Sequence, residues 1–275
     1  MNCSPPSHSP ADLAVTARGS GCRSVLLAAV AALAVGCVGS GGAADVKEST
    51  RAETAAAYNL QLGVAYLQQD KLALAREKLD RAVKQNPRDP KVHNARALLA
   101  EKLNDLDDAD KYYRTAVRLA ADDPDISNNY AVFLCRTGRV DEGVKRFVGV
   151  AKNKLYRSPE GAYTNAGVCL RGAQRFEEAS EYFARALAVR PNHAEAAYQL
   201  ADLDMQRGML VEARSGVDRF LTAFRPTPDL LLLAVKIARA QNDPGAEERF
   251  ARRLRVEFPD SDQMRQLPPL RRNPG

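Results

Sequence analysis

Tryptophan is absent from this chain of 275 residues, aromatic side chains make up only 6% of it, and histidine occurs three times. Few aromatics beside abundant alanine argue against a β-sandwich or barrel and suit close-packed helices. His8 lies near the start, and His93 and His193 each follow closely on a proline. Neither of the latter two has a cysteine or carboxylate at ligand spacing, so no metal site is expected and both read as cap or surface residues. The chain also lacks a glycine-rich phosphate loop and a G-x-S-x-G elbow. Its paired carboxylates, in EKLDRA and FEEASEYF, come with basic partners three or four residues away, as on solvated helix faces. With no catalytic set, no enzyme, cofactor or small-molecule substrate is expected. The net charge of +6 comes from 40 basic and 34 acidic residues interspersed along the chain. No basic block with interleaved aromatics is present, so nucleic acid is not an expected partner.

Long apolar runs are missing as well. VLLAAVAALAV, residues 25–35, is the longest and has eleven residues, whereas a membrane-spanning helix needs roughly 20. Arg18 and Arg23 precede it and small residues follow, which is the order of an export signal. The junction Leu33-Ala34-Val35-Gly36-Cys37 resembles a bacterial lipobox, with the leucine one place further out than usual. The resemblance implies a signal peptide over 1–36, lipidation of Cys37, and an anchor of several acyl chains, since one chain alone binds a membrane only marginally. Val38, where an aspartate would favour the inner membrane, points to the periplasmic face of the outer membrane. Loss of Arg18, Arg23 and Asp12 with the leader takes the net charge from +6 to +5. Residues 37–54 read as a flexible tether reaching about 20 Å by coil scaling.

The body repeats itself. Gly63, Ala75, Leu79 and Ala82 recur as Ala97, Ala109, Tyr113 and Ala116 after 34 residues, and again as Ala131, Gly143 and Phe147. A step of 36 leads to Gly167, Ala179, Phe183 and Ala186, then 34 more to Ala201 and Ala213, and a looser copy runs to Pro259. Small residues at the eighth and twentieth places let two helices approach closely, and a large apolar residue four places later fills the next gap on the same face. Proline at the unit's end, as in KQNPRDP and VRPNH, stops the second helix. This pattern resembles the tetratricopeptide repeat, a helix–turn–helix unit. The expected fold is all-α, a superhelical solenoid of about six helix pairs over 55–260, followed by a disordered tail, 261–275. The extra two residues fall in AKNKLYRSPEGAY.

A repeat scaffold binds partners along the face lined by the first helix of each unit. By the repeat's register that lining includes Leu60, Val64, Asn94, Leu98, Asn128, Val132, Val168 and Arg171. Such a groove, mainly apolar with a few amides and charges, suits an amphipathic segment. In the alternative, several of these side chains only pack between neighbouring helices. Cys3 and Cys22 lie in the leader and Cys37 carries lipid, which leaves Cys135 and Cys169, both in first helices of adjacent units. First helices of consecutive units lie side by side, so a disulfide is expected, with two reduced core thiols as the alternative. No activating neighbour marks either as a nucleophile.

NNYAVFLCRTGRVDEG and AYTNAGVCLRGAQRFEEASEYFARAL resemble the corresponding repeats of the type IV pilus biogenesis lipoproteins called PilF or PilW, with Ala131 where that family usually has glycine. The resemblance implies a pilotin, an outer-membrane lipoprotein that helps the secretin subunit reach the membrane and multimerise. The alternative function is a generic periplasmic repeat lipoprotein that scaffolds cell-wall or outer-membrane assembly factors.

Overall fold

Six positions with φ between 57° and 82° punctuate the chain: Asp70, Asn104, Gly138, Gln174, Gly208 and Asn242. They lie 34 residues apart except for the 36 between Gly138 and Gln174. Each sits in a short turn, and each turn joins the two helices of one repeat. In this computed structural model, which describes residues 42–154, 156–267 and 269, the pairs are α1 (Gly42–Gln68) with α2 (Leu72–Gln85), α3 (Pro90–Lys102) with α4 (Leu106–Leu119), and α5 (Pro124–Arg136) with α6 (Val140–Lys152). Then follow α7 (Pro159–Gly172) with α8 (Phe176–Val189), α9 (Ala194–Gln206) with α10 (Leu210–Ala223), and α11 (Pro228–Ala240) with α12 (Pro244–Glu257). A single turn, α13 (Asp262–Arg265), closes the described series, and the described residues from Asp45 onward form one unit. The described residues contain helices and no strand.

Between pairs, the chain stops and restarts by chemistry visible in the sequence. Asp89, Asp123 and Thr227 accept backbone hydrogen bonds at the starts of α3, α5 and α11, each followed by a proline that lacks the donor a first turn cannot use. Within pairs, small residues set the spacing. A Cβ on Gly63 would stand 2.6 Å from the Leu79 side chain, and one on Gly167 only 2.5 Å from the Phe183 ring. Leu79, Tyr113, Phe147 and Phe183, the large residues expected to fill the gaps, are all buried. At the C-terminal end, α11 is buried on every side from Leu230 to Val235, so it packs as a central helix against α9, α10 and α12.

Three expectations need correction. Residues 42–54, read as part of a flexible tether, are helical and extend α1 well before the first repeat. Ala43, Ala44 and Ala52 with Glu48, Arg51 and Glu53 favour a helix here, Ala55, Ala56 and Ala57 continue it, and no proline interrupts it. The start of the tail is ordered: Ser261 caps α13 through Met264 N–H, Gln263 donates to Asp229, and Arg239 donates to the carbonyl of Pro269 at 2.6 Å. His93 is no surface residue but is 7% exposed, with Nε2 2.7 Å from the carbonyl of Pro87. His193 does occupy the cap position of α9. The leader and Cys37 lie outside the described residues, and no described helix is long and apolar enough to cross a membrane.

Candidate functional site

The first helices α1, α3, α5 and α7 carry all eight residues expected to line the groove. Their environments divide into four kinds. Leu60, Val64 and Leu98 are half-buried against Leu67, Ala75, Leu79, Ala95 and Leu99, so they contribute at least as much to helix packing as to a binding face. Asn94 and Asn128 belong to a seam of amides: Asn129 donates to Asn94 at 3.3 Å, and Asn165 donates to Asn128 at 3.2 Å. Arg171 is engaged within the chain, donating to Gln199 at 2.6 Å and to Asp202 at 2.5 Å. Its charge is therefore already matched and does not face a partner alone.

Val168 is the open member, whereas Val132 is half-buried against Ala131, Phe147, Ala166 and Cys169. Together the two valines line a cavity of about 620 Å³ between α5, α6 and α7, with Val140, Phe147, Asn165 and Arg136 around them. Val168 is 44% exposed and presents its side chain at the mouth of this cavity. The sulfurs of Cys135 and Cys169 form the back of this cavity. They are joined in a disulfide with a Cα–Cα separation of 5.6 Å, linking α5 of the third repeat to α7 of the fourth. Gly143 on α6 makes room for it, since a Cβ there would lie 2.5 Å from the Cys135 sulfur.

Polar groups away from this cavity tie helices together, within the second repeat and between it and the third. The Tyr113 hydroxyl donates to Glu101, and burial together with that carboxylate pushes its pKa up. Tyr130 donates to Asp110 at 2.7 Å, and Arg139 of the next turn pairs with the same carboxylate at 2.7 Å. Burial, then Asp110, raises the Tyr130 pKa. Both phenols thus stay neutral and act as donors. Among the described residues no cluster of His, Cys, Asp or Glu is placed to hold a metal ion. The arrangement places apolar side chains and hydrogen-bonding amides along the first helices.

Comparison with known proteins agrees with this geometry. Residues 42–90 and 94–147 match one family model described as tetratricopeptide repeat, and 170–237 match another with the same description. The chain is a tetratricopeptide-repeat protein. It is homologous to the type IV pilus assembly protein PilF of Pseudomonas aeruginosa, with 26% identity over 87% of this chain and 95% of the relative. An uncharacterised protein of Haemophilus influenzae is 27% identical over 46% of this chain and 70% of its own length. Among solved structures, Pseudomonas aeruginosa PilF superposes with a TM-score of 0.59 at 25% identity, covering 78% of this chain and 97% of that one. PilW, described as a widely conserved type IV pilus biogenesis factor, gives 0.59 at 28% identity over 77% and 97%.

Helical periodicity in this repeat protein gives no sign of a feature further along the stack. A second cavity, of about 510 Å³, opens between α8, α9 and α10, with the buried carboxyl of Asp204 in its lining. Its signal lies between repeats instead: aligned by its turns, the fifth repeat departs from its neighbours there.

Proposed function

We propose that the protein is a pilotin of type IV pilus biogenesis: a lipid-anchored scaffold that brings secretin subunits to the outer membrane and promotes their multimerisation. The observation that carries this reading is homology to PilF along nearly the whole helix stack, rather than over a few repeats. The mechanism is capture and placement. Val132 and Val168 offer an apolar contact on the face of the first helices, and the amide seam beside them supplies hydrogen bonds to a bound backbone. Acyl chains on Cys37 hold the captured client at the membrane, where the high local concentration favours assembly of the multimer.

Deleting the gene tests the reading. Secretin monomer should still be made, while heat-stable secretin multimers fall and surface pili disappear. Complementation with Val132→Asp or Val168→Asp should restore a folded, membrane-bound protein but not the multimer. A Cys37→Ser version should leave the membrane fraction. Normal secretin multimers and normal twitching in the deletion strain would overturn the proposal.

A further inference from the structure

Aligned by their left-handed turn residues, repeats two to five can be compared place by place. Four residues before the turn stand Ala100, Leu134 and Leu170 in the second, third and fourth repeats, all of them buried. The fifth has Asp204 there. Eight residues after the turn stand Tyr112, Arg146 and Tyr182, and the fifth has Gly216. Both departures line the same cavity, about 510 Å³ between α8, α9 and α10. Loss of a tyrosine or arginine side chain at 216 is what leaves the space, and an added Cβ there would meet nothing within 4 Å.

The cavity is graded from floor to rim. Ala197, Ala201, Phe220 and Asp204 form the buried floor, Leu187 and Leu200 the half-buried walls, and Val211, Glu212 and Arg219 the exposed rim. Asp204 is 8% exposed, and among the described residues only the charges of Arg207 and Glu212 act on its carboxylate, with no hydrogen bond or ion pair to it. Burial raises its pKa above the usual carboxylate range. Of the charged groups acting on it, Arg207 is already paired with Glu177 at 2.7 Å, and Glu212 adds a second negative charge. Leucine serves at this place in two neighbouring repeats, so the carboxyl costs stability that the fold does not require.

We propose that this cavity is a receptor for one lysine side chain presented by a partner polypeptide. An occupant must bring positive charge to the floor through an apolar shaft. Lysine does so, with a four-carbon stem for the walls and a compact ammonium for the single carboxylate. An arginine fork needs more acceptors than the floor holds, and an apolar side chain would leave the carboxylate buried and unpaired. A metal ion would find one carboxylate where it needs several oxygens. The site is separate from the Val132/Val168 cavity, and the inference does not depend on the pilus reading.

The full-length protein with 13C-labelled alanine and leucine methyls tests this, titrated with Nα-acetyl-lysine amide and with Nα-acetyl-norleucine amide, which ends in a methyl group. The Ala197, Ala201 and Leu200 methyl signals should shift with the lysine probe at a concentration about tenfold lower than with norleucine. Asp204→Asn should bring the two probes within about twofold while melting at or above the wild-type temperature, which shows the fold intact. Gly216→Tyr should abolish both titrations. Equal response to the two probes, no saturable response to lysine, or shifts that persist in Gly216→Tyr would each overturn the proposal. Stronger response to Nα-acetyl-glutamate amide would also overturn it, by assigning the cavity to an acidic segment through Arg219.

Discussion

Reduction of Cys135–Cys169 should cost more than a surface cross-link would. The bond closes a loop of 34 residues, for which chain entropy alone gives roughly 3.5–4 kcal/mol at 25 °C. Native packing adds to this instead of relieving it. Two free thiols must stand about 3.5–4 Å apart, as unbonded heavy atoms do, yet α6 approaches so closely that a Cβ on Gly143 would already be 2.5 Å from the Cys135 sulfur. Separating the sulfurs therefore presses α5 against α6 or moves α7, at about 1 kcal/mol or more. In a stack where each repeat touches only its neighbours, the damage stays at the junction of repeats three and four.

The assay is urea unfolding of the full-length protein, oxidised and reduced, followed by helix signal, with hydrogen exchange on the same samples. The midpoint should fall by the equivalent of about 5 kcal/mol, and the slope should rise because the reduced unfolded chain is more expanded. Exchange should accelerate in α5 to α8 and change little in α11 and α12. If thiol labelling shows both sulfurs free and the midpoint moves by less than about 0.5 kcal/mol equivalent, the reasoning about loop closure and local crowding is wrong.

Three further outcomes can be measured by the same unfolding experiments. Gly167→Ala should destabilise by about 2 kcal/mol or more because its Cβ meets the Phe183 ring, whereas Gly216→Ala, with open space around it, should stabilise by roughly 0.5–1 kcal/mol; opposite signs are required. Gln174→Gly should stabilise by about 1 kcal/mol, since φ of 61° brings a Cβ close to the following carbonyl oxygen and glycine has none; a loss would show that the Gln174 side chain is needed. Asp204 has a folded pKa above its unfolded value, so its proton stabilises the fold at acid pH and that contribution is lost as pH rises through the folded pKa. The gain in stability of Asp204→Leu over wild type should accordingly be small below about pH 4, the unfolded carboxyl range, and grow toward neutrality; a gain independent of pH would rule out the carboxylate as its cause.

Much of the fold was legible because the signals are local and repeated. A small residue at 63, 97, 131, 167 and 201 and an aromatic or leucine at 79, 113, 147 and 183 mark one helix contact after another, and the structure builds those contacts. Residues 42–54 were misread because glycine and serine at 39–42 set the tone for a segment whose alanines favour a helix. His93 was misread because its burial depends on Tyr112 of the next helix and on Pro87, and neither contact has a periodic signature. Arg171 looked like a charge for a partner; Asp202, which neutralises it, lies 31 residues away. Long-range pairing of polar groups is the part of the structure that helical periodicity does not encode. Asp204 was hidden differently. Within its own helix it is one carboxylate among several, and only superposition on Leu134 and Leu170 shows that it stands in a core position.

The polar seam has a further consequence for binding. Apolar contacts between alanines tolerate small slips along a helix axis, because one methyl group resembles the next. Hydrogen bonds from Asn129 to Asn94 and from Asn165 to Asn128, and the bridge from Arg171 to Gln199 and Asp202, do not tolerate such slips, since a displaced amide is left without its partner. The seam therefore fixes the register of α3, α5, α7 and α9, and the disulfide locks the middle step. Val132 and Val168 are held at a set separation before any client arrives. If the proposed client docks there, it loses less free energy to ordering its receptor, which is the condition under which a modest apolar cavity binds selectively.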